Sequence, residues 1–293
     1  MPPEVSVASV PRSGSLALLR LLRPKHWIKN LFVLAPLIFS GLFTRPTARL
    51  YALFGALLFC VAASIVYVIN DLADLELDAL HPVKRLTRPL ASGAVSVGAA
   101  RAVLLFLSAL LLAGSLVSVP LVTVLIAYIV LNLLYSSWLK HMPVIDIFCV
   151  AAGFVLRVYA GAVVIDVPLS SWMLVTTLAI ALYLAAIKRR DELEVQGDAA
   201  RAVLGQYTVP LLDRFALMAS VCAIVFYSMF VVTTRPALAF TIPFVLFGIF
   251  RYWFLVERNG RGESPTDALW TDPPLAITVV SWGILCAYLL RRP

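Results

Sequence analysis

The sequence predicts an all-α integral membrane protein, a bundle of nine transmembrane helices. Three observations predict it. Of the 293 residues, 61% are hydrophobic and only 14% charged, with a mean hydropathy of +0.94; a soluble domain is about half apolar and a quarter charged. Apolar runs near the ~20 residues needed to cross ~30 Å of hydrocarbon recur along the chain. Lysines and arginines gather on alternate connections.

In order, the expected spans are 27–43, 51–70, 99–118, 120–138, 144–165, 172–187, 212–232, 237–256 and 274–290. The first and sixth are short, and only a tight turn at Val119-Pro120 divides the third from the fourth. No stretch alternates apolar and polar residues over about ten positions, so a barrel is excluded. Residues 1–20 lack the basic start, apolar core and small-residue cleavage site of a signal peptide. They read as a cytoplasmic N-terminal tail before a single membrane domain over 21–293. Cys60, Cys149, Cys222 and Cys286 lie inside apolar runs without paired spacing and read as packing residues.

With the N-terminus inside, nine spans put Arg12, Arg20, Arg23, Lys25, Lys29, Lys84, Arg85, Arg88, Arg101 and Lys140 on the cytoplasmic side. Lys188, Arg189, Arg190, Arg201, Arg214, Arg258 and Arg261 fall there too. Outside are Arg45, Arg49, Arg235, Arg291 and Arg292, leaving Arg157 and Arg251 within spans. This bias predicts a multi-pass protein of the cell (inner or plasma) membrane, N-terminus cytoplasmic and C-terminus outside. The net charge of +8 suits anionic headgroups and anionic substrates. Both long connections, Leu72–Gly98 and about Lys188–Leu211, are then cytoplasmic, which places the chemistry on that face.

The second span ends in an acidic stripe. Asp71, Asp74 and Asp78 recur at i, i+3, i+7, one helical face, beside Asn70. Stacked carboxylates repel one another, and burial raises that cost. A hard cation such as Mg²⁺ would neutralise them, because it takes oxygen ligands and bridges carboxylates to substrate phosphates. Solvated helix-end acids and a proton or cation pathway are the alternatives. His81, Lys84, Arg85 and Arg88 follow, and the sixth span ends similarly in Lys188, Arg189, Arg190, Asp191 and Glu192. Two such helix ends facing each other would share one site. Interleaved acids and bases suit a metal and an anion together, with the bases stabilising a departing diphosphate. Arg157, inside the fifth span, shares a helix face with Asp146 about 16 Å away, too far to pair. The three histidines are too dispersed for a ligand set.

At these residues the chain resembles the UbiA superfamily of intramembrane prenyltransferases. Asn70-Asp71-x-x-Asp74-x-x-x-Asp78 matches its first acidic motif, and "RPLASG" (Arg88–Gly93) matches the usual continuation. "LLRPKHWIKNLFVLAPLIFSG" (Leu21–Gly41), "HPVKRLTRPLASG", "LYSSWLKHMPVIDIFCVAAGFVLRVYAG" (Leu134–Gly161) and "KRRDEL" (Lys188–Leu193) are similar to its polyprenyl-phosphate phosphoribosyltransferase branch, known for decaprenyl phosphate as acceptor. The superfamily's second motif, D-x-x-x-D, is replaced here by Lys188-Arg189-Arg190-Asp191-Glu192, and its Y-x-x-x-K pattern is stretched to Tyr135 and Lys140.

The resemblance implies a UbiA-type bundle with a cytoplasmic-facing site. It also implies Mg²⁺-dependent transfer of 5-phosphoribose from phosphoribosyl diphosphate (PRPP) to a long polyprenyl phosphate, supplying a cell-envelope arabinose or ribose donor. It makes Asn70, Asp71, Asp74 and Asp78 the metal ligands and Asp71, Asp74, Asp78, Lys84 and Arg85 the catalytic set. Substrate contacts are then expected from Lys25, Lys29, Asn70, Arg88, Tyr135, Lys140, Arg157, Lys188, Arg189, Arg190, Asp191, Glu192 and Tyr207. The bases at 188–190 would form a second anion subsite for the 5-phosphate. Membrane lipids are the other partners and nucleic acid is not one; a homo-oligomer stays open. The alternatives are aromatic prenylation from an isoprenyl diphosphate and, in a different class, cation-coupled transport.

Overall fold

The computed structural model describes residues 14–196, 203–259, 268–269 and 271–291. Among these, every regular element is helical: α1 (Gly14–Leu21), α2 (Ala35–Phe39), α3 (Pro46–Ala73), α4 (Leu75–Leu80), α5 (Lys84–Thr87), α6 (Val97–Ala113), α7 (Val119–Ser137), α8 (Ile145–Val164), α9 (Ser171–Gln196), α10 (Val209–Thr234), α11 (Ile242–Asn259) and α12 (Pro273–Leu289). Of the expected positions, residues 1–13, Arg201, Arg261 and Arg292 lie outside the described residues.

Among the described residues, seven helical stretches are long and apolar enough to cross a membrane: Pro46–Ala73, Val97–Leu116, Val119–Ser137, Ile145–Val164, Ser171–Val195, Val209–Thr234 and Pro236–Arg258. The first expected span is not a continuous α-helix. Residues Pro24–Leu34 form a 3₁₀ helix, followed by the five residues of α2. Pro36 sits at the start of α2; it cannot donate to an i−4 carbonyl, and its ring crowds that carbonyl. The ninth, α12, has 17 residues, about 25 Å of helix, at the short end of what a crossing needs. The sixth is longer than expected. α9 runs 26 residues because Lys188 to Gln196 holds good helix formers and no glycine or proline. The expected loop at Lys188 is therefore helical to Gln196. Helix starts are capped where the sequence allows: Ser96 accepts from Ala99 N–H, Thr208 from Leu211 N–H and Asp272 from Leu275 N–H.

The chain forms two compact units. One contains the described residues up to Leu31 together with Leu57–Ile129. Its core joins Ala17, Leu21, Val68, Leu90, Val95 and Ala100, so the end of the expected tail is helical and packed. The other contains Phe32–Ala56 and the chain from Val130. There Tyr183, Ile187, Ala216, Tyr252 and Leu255 pack in one cluster. Ile147, Ala185, Leu204, Tyr207 and Leu212 pack in another, which anchors the ends of α8, α9 and α10. Large apolar side chains such as Leu57, Leu105, Phe106 and Phe250 stay exposed, as a lipid-facing surface requires.

Candidate active site

In the first unit, the acidic stripe does not continue one straight helix. α3 ends at Ala73, and Asp74 caps α4 with φ −92° and ψ 7°, outside helical values. Hydrogen bonds from Asp74 N–H to Asn70 O (2.9 Å) and from Asp78 N–H to Asp74 O (2.8 Å) carry the chain across the break. Asp71 and Asp78 are each 2% exposed, whereas Asp74 and Asn70 are half-buried. The break brings Asp71 and Asp78 onto one cation: Nη1 of Arg88 donates to Asp71 Oδ1 at 2.9 Å and also to Asp78 Oδ2. Lys84 Nζ lies 3.3 Å from Asp78 Oδ1. Arg85 is exposed and enters none of the ion pairs among the described residues.

Sequence reasoning missed Arg23 as a site residue. Its guanidinium donates to Asp71 Oδ1 at 2.5 Å and lies 5.0 Å above the Tyr67 ring. The backbone there is in the left-handed region, φ +53°, a conformation that costs a non-glycine residue about 1–3 kcal/mol. Trp27 holds the following turn, its Nε1 donating to Ser64 Oγ at 3.2 Å. Lys25 is exposed and Lys29 half-buried on the same segment.

Both arginines therefore use one oxygen of Asp71. The other, Oδ2, is buried with no hydrogen-bond partner. An orphaned carboxylate oxygen is costly and marks where a cation or donor belongs. Among the described residues, no three His, Cys, Asp or Glu side chains are gathered into a metal-binding group. The acidic motif supplies few ligands rather than a cage.

The second unit carries a separate buried network. Asp146, fully buried, accepts from the Tyr207 hydroxyl on Oδ1 (2.7 Å) and from Arg189 Nε on Oδ2 (2.7 Å). Arg189 also donates from Nη1 to Glu192 Oε2 (2.7 Å) and from Nη2 to the Tyr135 hydroxyl (2.8 Å). Lys188 Nζ lies 3.7 Å from Glu192 Oε1. The Tyr207 hydroxyl accepts from the N–H of Val144, a β-branched residue at φ +67°. Burial, and then the neighbouring Asp146, push the Tyr207 phenol above its ordinary range, so it stays protonated. Asp146 was missed as a site residue because on its own helix it faces only Arg157. That arginine instead donates to Gly153 O at 2.8 Å.

Arg190, expected at a phosphate, is otherwise engaged. Its Nε, Nη1 and Nη2 reach Asp213 (2.7 Å), Glu194 (2.7 Å) and Glu257 (3.0 Å). Nε and Nη2 thus tie α9 to α10 and α11, while Nη1 closes an i,i+4 pair within α9. Asp191 is buried, and Lys140 is half-buried in a 3₁₀ turn. The run at 188–190 is mostly neutralised within the protein. Its charge does not form the open anion subsite that its composition implied.

Comparison with known proteins gives one consistent answer. Residues 32–271 match the UbiA prenyltransferase family. The chain is 34% identical over 289 residues to decaprenyl-phosphate phosphoribosyltransferase of Corynebacterium glutamicum, covering 93% of this chain and 86% of that one. It is likewise 34% identical to the enzyme of the same name from Mycolicibacterium smegmatis, covering 94% and 92%. Among solved structures, a UbiA homolog from Archaeoglobus fulgidus bound to GPP and Mg²⁺ superposes with a TM-score of 0.66, at 22% identity, over 94% of this chain and 96% of that one. The two units, with their buried acidic and arginine-centred clusters, are parts of one member of the UbiA prenyltransferase family.

Proposed function

We propose that the protein transfers 5-phosphoribose from PRPP to a long-chain polyprenyl phosphate, of the decaprenyl phosphate type, releasing pyrophosphate at the cytoplasmic membrane face. One observation carries the choice of donor: the similarity to enzymes named decaprenyl-phosphate phosphoribosyltransferase extends over nearly the whole of both chains. The transferase chemistry is supported locally by Asp71, which offers a buried oxygen to a cation and stands between two guanidinium groups suited to an anion. The product would enter synthesis of a cell-envelope arabinose or ribose donor.

Mg²⁺ fits these residues. Asp71 Oδ2 lacks a partner, and oxygens of Asp71 and Asp78 already converge on one positive nitrogen. Mg²⁺ prefers oxygen, keeps several waters, and needs only one or two carboxylates when a phosphate completes its shell. Asp71, Asp74 and Asp78, with Asn70, would hold it. Once bound, it would neutralise diphosphate oxygens and make pyrophosphate a better leaving group.

The chain's own groups do the rest. Arg88 and Arg23 turn from Asp71 toward the diphosphate, and Lys84 and Arg85 take charge that develops on the departing pyrophosphate. In the second unit, Lys140, Lys188, Tyr135 and Glu192 are the groups whose chemistry suits a ribose and a phosphate. Lys25 and Lys29 guide the lipid phosphate. That phosphate is ionised at neutral pH, so the nucleophile needs no strong general base, and direct displacement inverts the anomeric carbon. In this reading the 24–39 segment and α12 complete nine crossings, with the N-terminus inside and the C-terminus outside.

Direct binding distinguishes this donor from the one used in aromatic prenylation. With Mg²⁺ present, PRPP should bind the purified protein and geranyl diphosphate should not compete. Competition at equal concentration would favour the prenyl donor.

A further inference from the structure

We infer that the short α4–α5 segment is a docking surface for anionic phospholipid headgroups, at the membrane face where α3 ends. This surface is separate from the transfer reaction and does not depend on which donor is used.

The segment is built inside out. On α4, Asp78 is 2% exposed and pairs with Arg88 and Lys84, whereas Leu77 is 71% and Leu80 82% exposed. Leu77 and Leu80 are three residues apart and share one helix face. Val83 and Leu86 continue the exposed apolar series into α5 at the same interval. The turn between the two helices is fixed. His81 Nδ1 accepts from the N–H groups of Val83 (3.2 Å) and Lys84 (3.3 Å), and Thr87 Oγ1 donates to Val83 O (3.1 Å). A helix facing water turns its acids out and its leucines in. Here the ion pairs keep the acid inward, so the outward leucines need an apolar partner.

Position and charge identify that partner as lipid. α3 has 28 residues, about 42 Å of helix, which matches a bilayer together with its headgroup layers. α4 begins two residues after α3 ends, at headgroup depth. Bases sit among the exposed apolar side chains: Arg85 is exposed, and the Lys84 side chain is 45% exposed. Apolar side chains interleaved with Lys and Arg characterise segments that lie in the interface of an anionic leaflet. The exposed acid Glu76 lies at the other end of the segment from these bases. The outer side of α1 repeats the pattern, with Leu16 and Leu19 exposed beside Arg20, and α1 and Leu75 pack on one core cluster. A lipid contact here would brace the turn that carries Asp78 and leads to Arg88.

Photo-crosslinking tests the surface on the full-length protein in nanodiscs of equal parts phosphatidylglycerol and phosphatidylcholine, with no polyprenyl phosphate added. p-Benzoylphenylalanine replaces Leu80 in one variant and Leu105, an exposed residue of α6, in another, and intact mass identifies the adducts. The ratio of phosphatidylglycerol to phosphatidylcholine adducts should be about fivefold higher at Leu80 than at Leu105, the preference expected from one base at the surface. Arg85→Gln in the Leu80-probe protein should bring the ratio down to the Leu105 value. No lipid adduct at Leu80 while Leu105 is labelled, equal ratios at the two positions, or a ratio unmoved by Arg85→Gln would overturn the proposal. Crosslinks from Leu80 to a second copy of the chain would overturn it in favour of a protein interface. Loss of the Leu80 adducts on adding polyprenyl phosphate would overturn it by assigning the surface to the substrate. If the Leu80 variant does not fold, the probe moves to Val83, exposed in the same series, with the same outcomes.

Discussion

Arg23 donates to Oδ1 of Asp71 at 2.5 Å, from a position 48 residues earlier in the chain, and leaves Oδ2 of that carboxylate buried without a partner. With Arg88 on the same oxygen, Asp71 is held by two internal cations that compete with a metal at Oδ2 for the carboxylate's charge. Arg23→Gln should therefore tighten Mn²⁺ binding to the substrate-free protein, by about tenfold if one charged hydrogen bond is released. The same variant should raise KM for the diphosphate donor. Opposite movements of these two quantities, from paramagnetic titration and steady-state kinetics, check the role; parallel weakening of both would indicate misfolding of the segment.

Asp74 and Asp78 should separate function from stability. Asp74 is half-buried and its side chain makes no capping hydrogen bond. Asp74→Asn should leave thermal unfolding in detergent unchanged and abolish turnover if the acid contacts metal. Asp78, buried against Arg88 and Lys84, should cost about 1–3 kcal/mol when changed to Asn, since charged hydrogen bonds to two part-exposed cations are lost. Near-normal turnover in Asp74→Asn would refute the metal role.

Arg190 should matter to the fold and not to substrate. Its three carboxylate partners are 34–50% exposed, so screening limits the cost of Arg190→Met to about 1–2 kcal/mol. The unfolding midpoint should fall, while KM for PRPP per folded enzyme stays within about threefold of wild type. A large KM effect at unchanged stability would return Arg190 to the phosphate site.

Gly161 is held to its size by backbone. A Cβ there would lie 2.8 Å from the carbonyl carbon of Val33 and closer still to its oxygen. Small residues allow such close approach between membrane segments. Gly161→Ala should lower stability by about 1–3 kcal/mol or abolish folded protein, because backbone must move to admit it. Gly248→Ala, where a Cβ meets nothing within 4 Å, is the matched control and should be neutral or slightly stabilising.

The long apolar runs made seven spans legible in sequence, because burial in lipid is written in composition alone. The first span was not, since Pro36 breaks it locally. Beside the acidic motif, Arg88 was legible as a candidate substrate contact because it lies close in sequence, but its pairing with Asp71 and Asp78 was not. Arg23 was not: it precedes Pro24, a position biased toward extended backbone, and reaches Asp71 only through its left-handed conformation. Asp146 pairs with an arginine 43 residues away on another helix, which no spacing rule on its own helix reveals. The neutralisation of Arg189 by Glu192 and of Arg190 by Glu194 is different. These are i,i+3 and i,i+4 pairs, visible in sequence, and counting bases without pairing them concealed it.

The most direct measurement of the central claim is the transfer of label into lipid. Purified protein, Mg²⁺, polyprenyl phosphate and PRPP labelled in the ribose should yield labelled lipid-phase product, and EDTA should stop the reaction until Mg²⁺ is restored. No labelled lipid from PRPP, together with prenylated 4-hydroxybenzoate from a prenyl diphosphate under the same conditions, would contradict it.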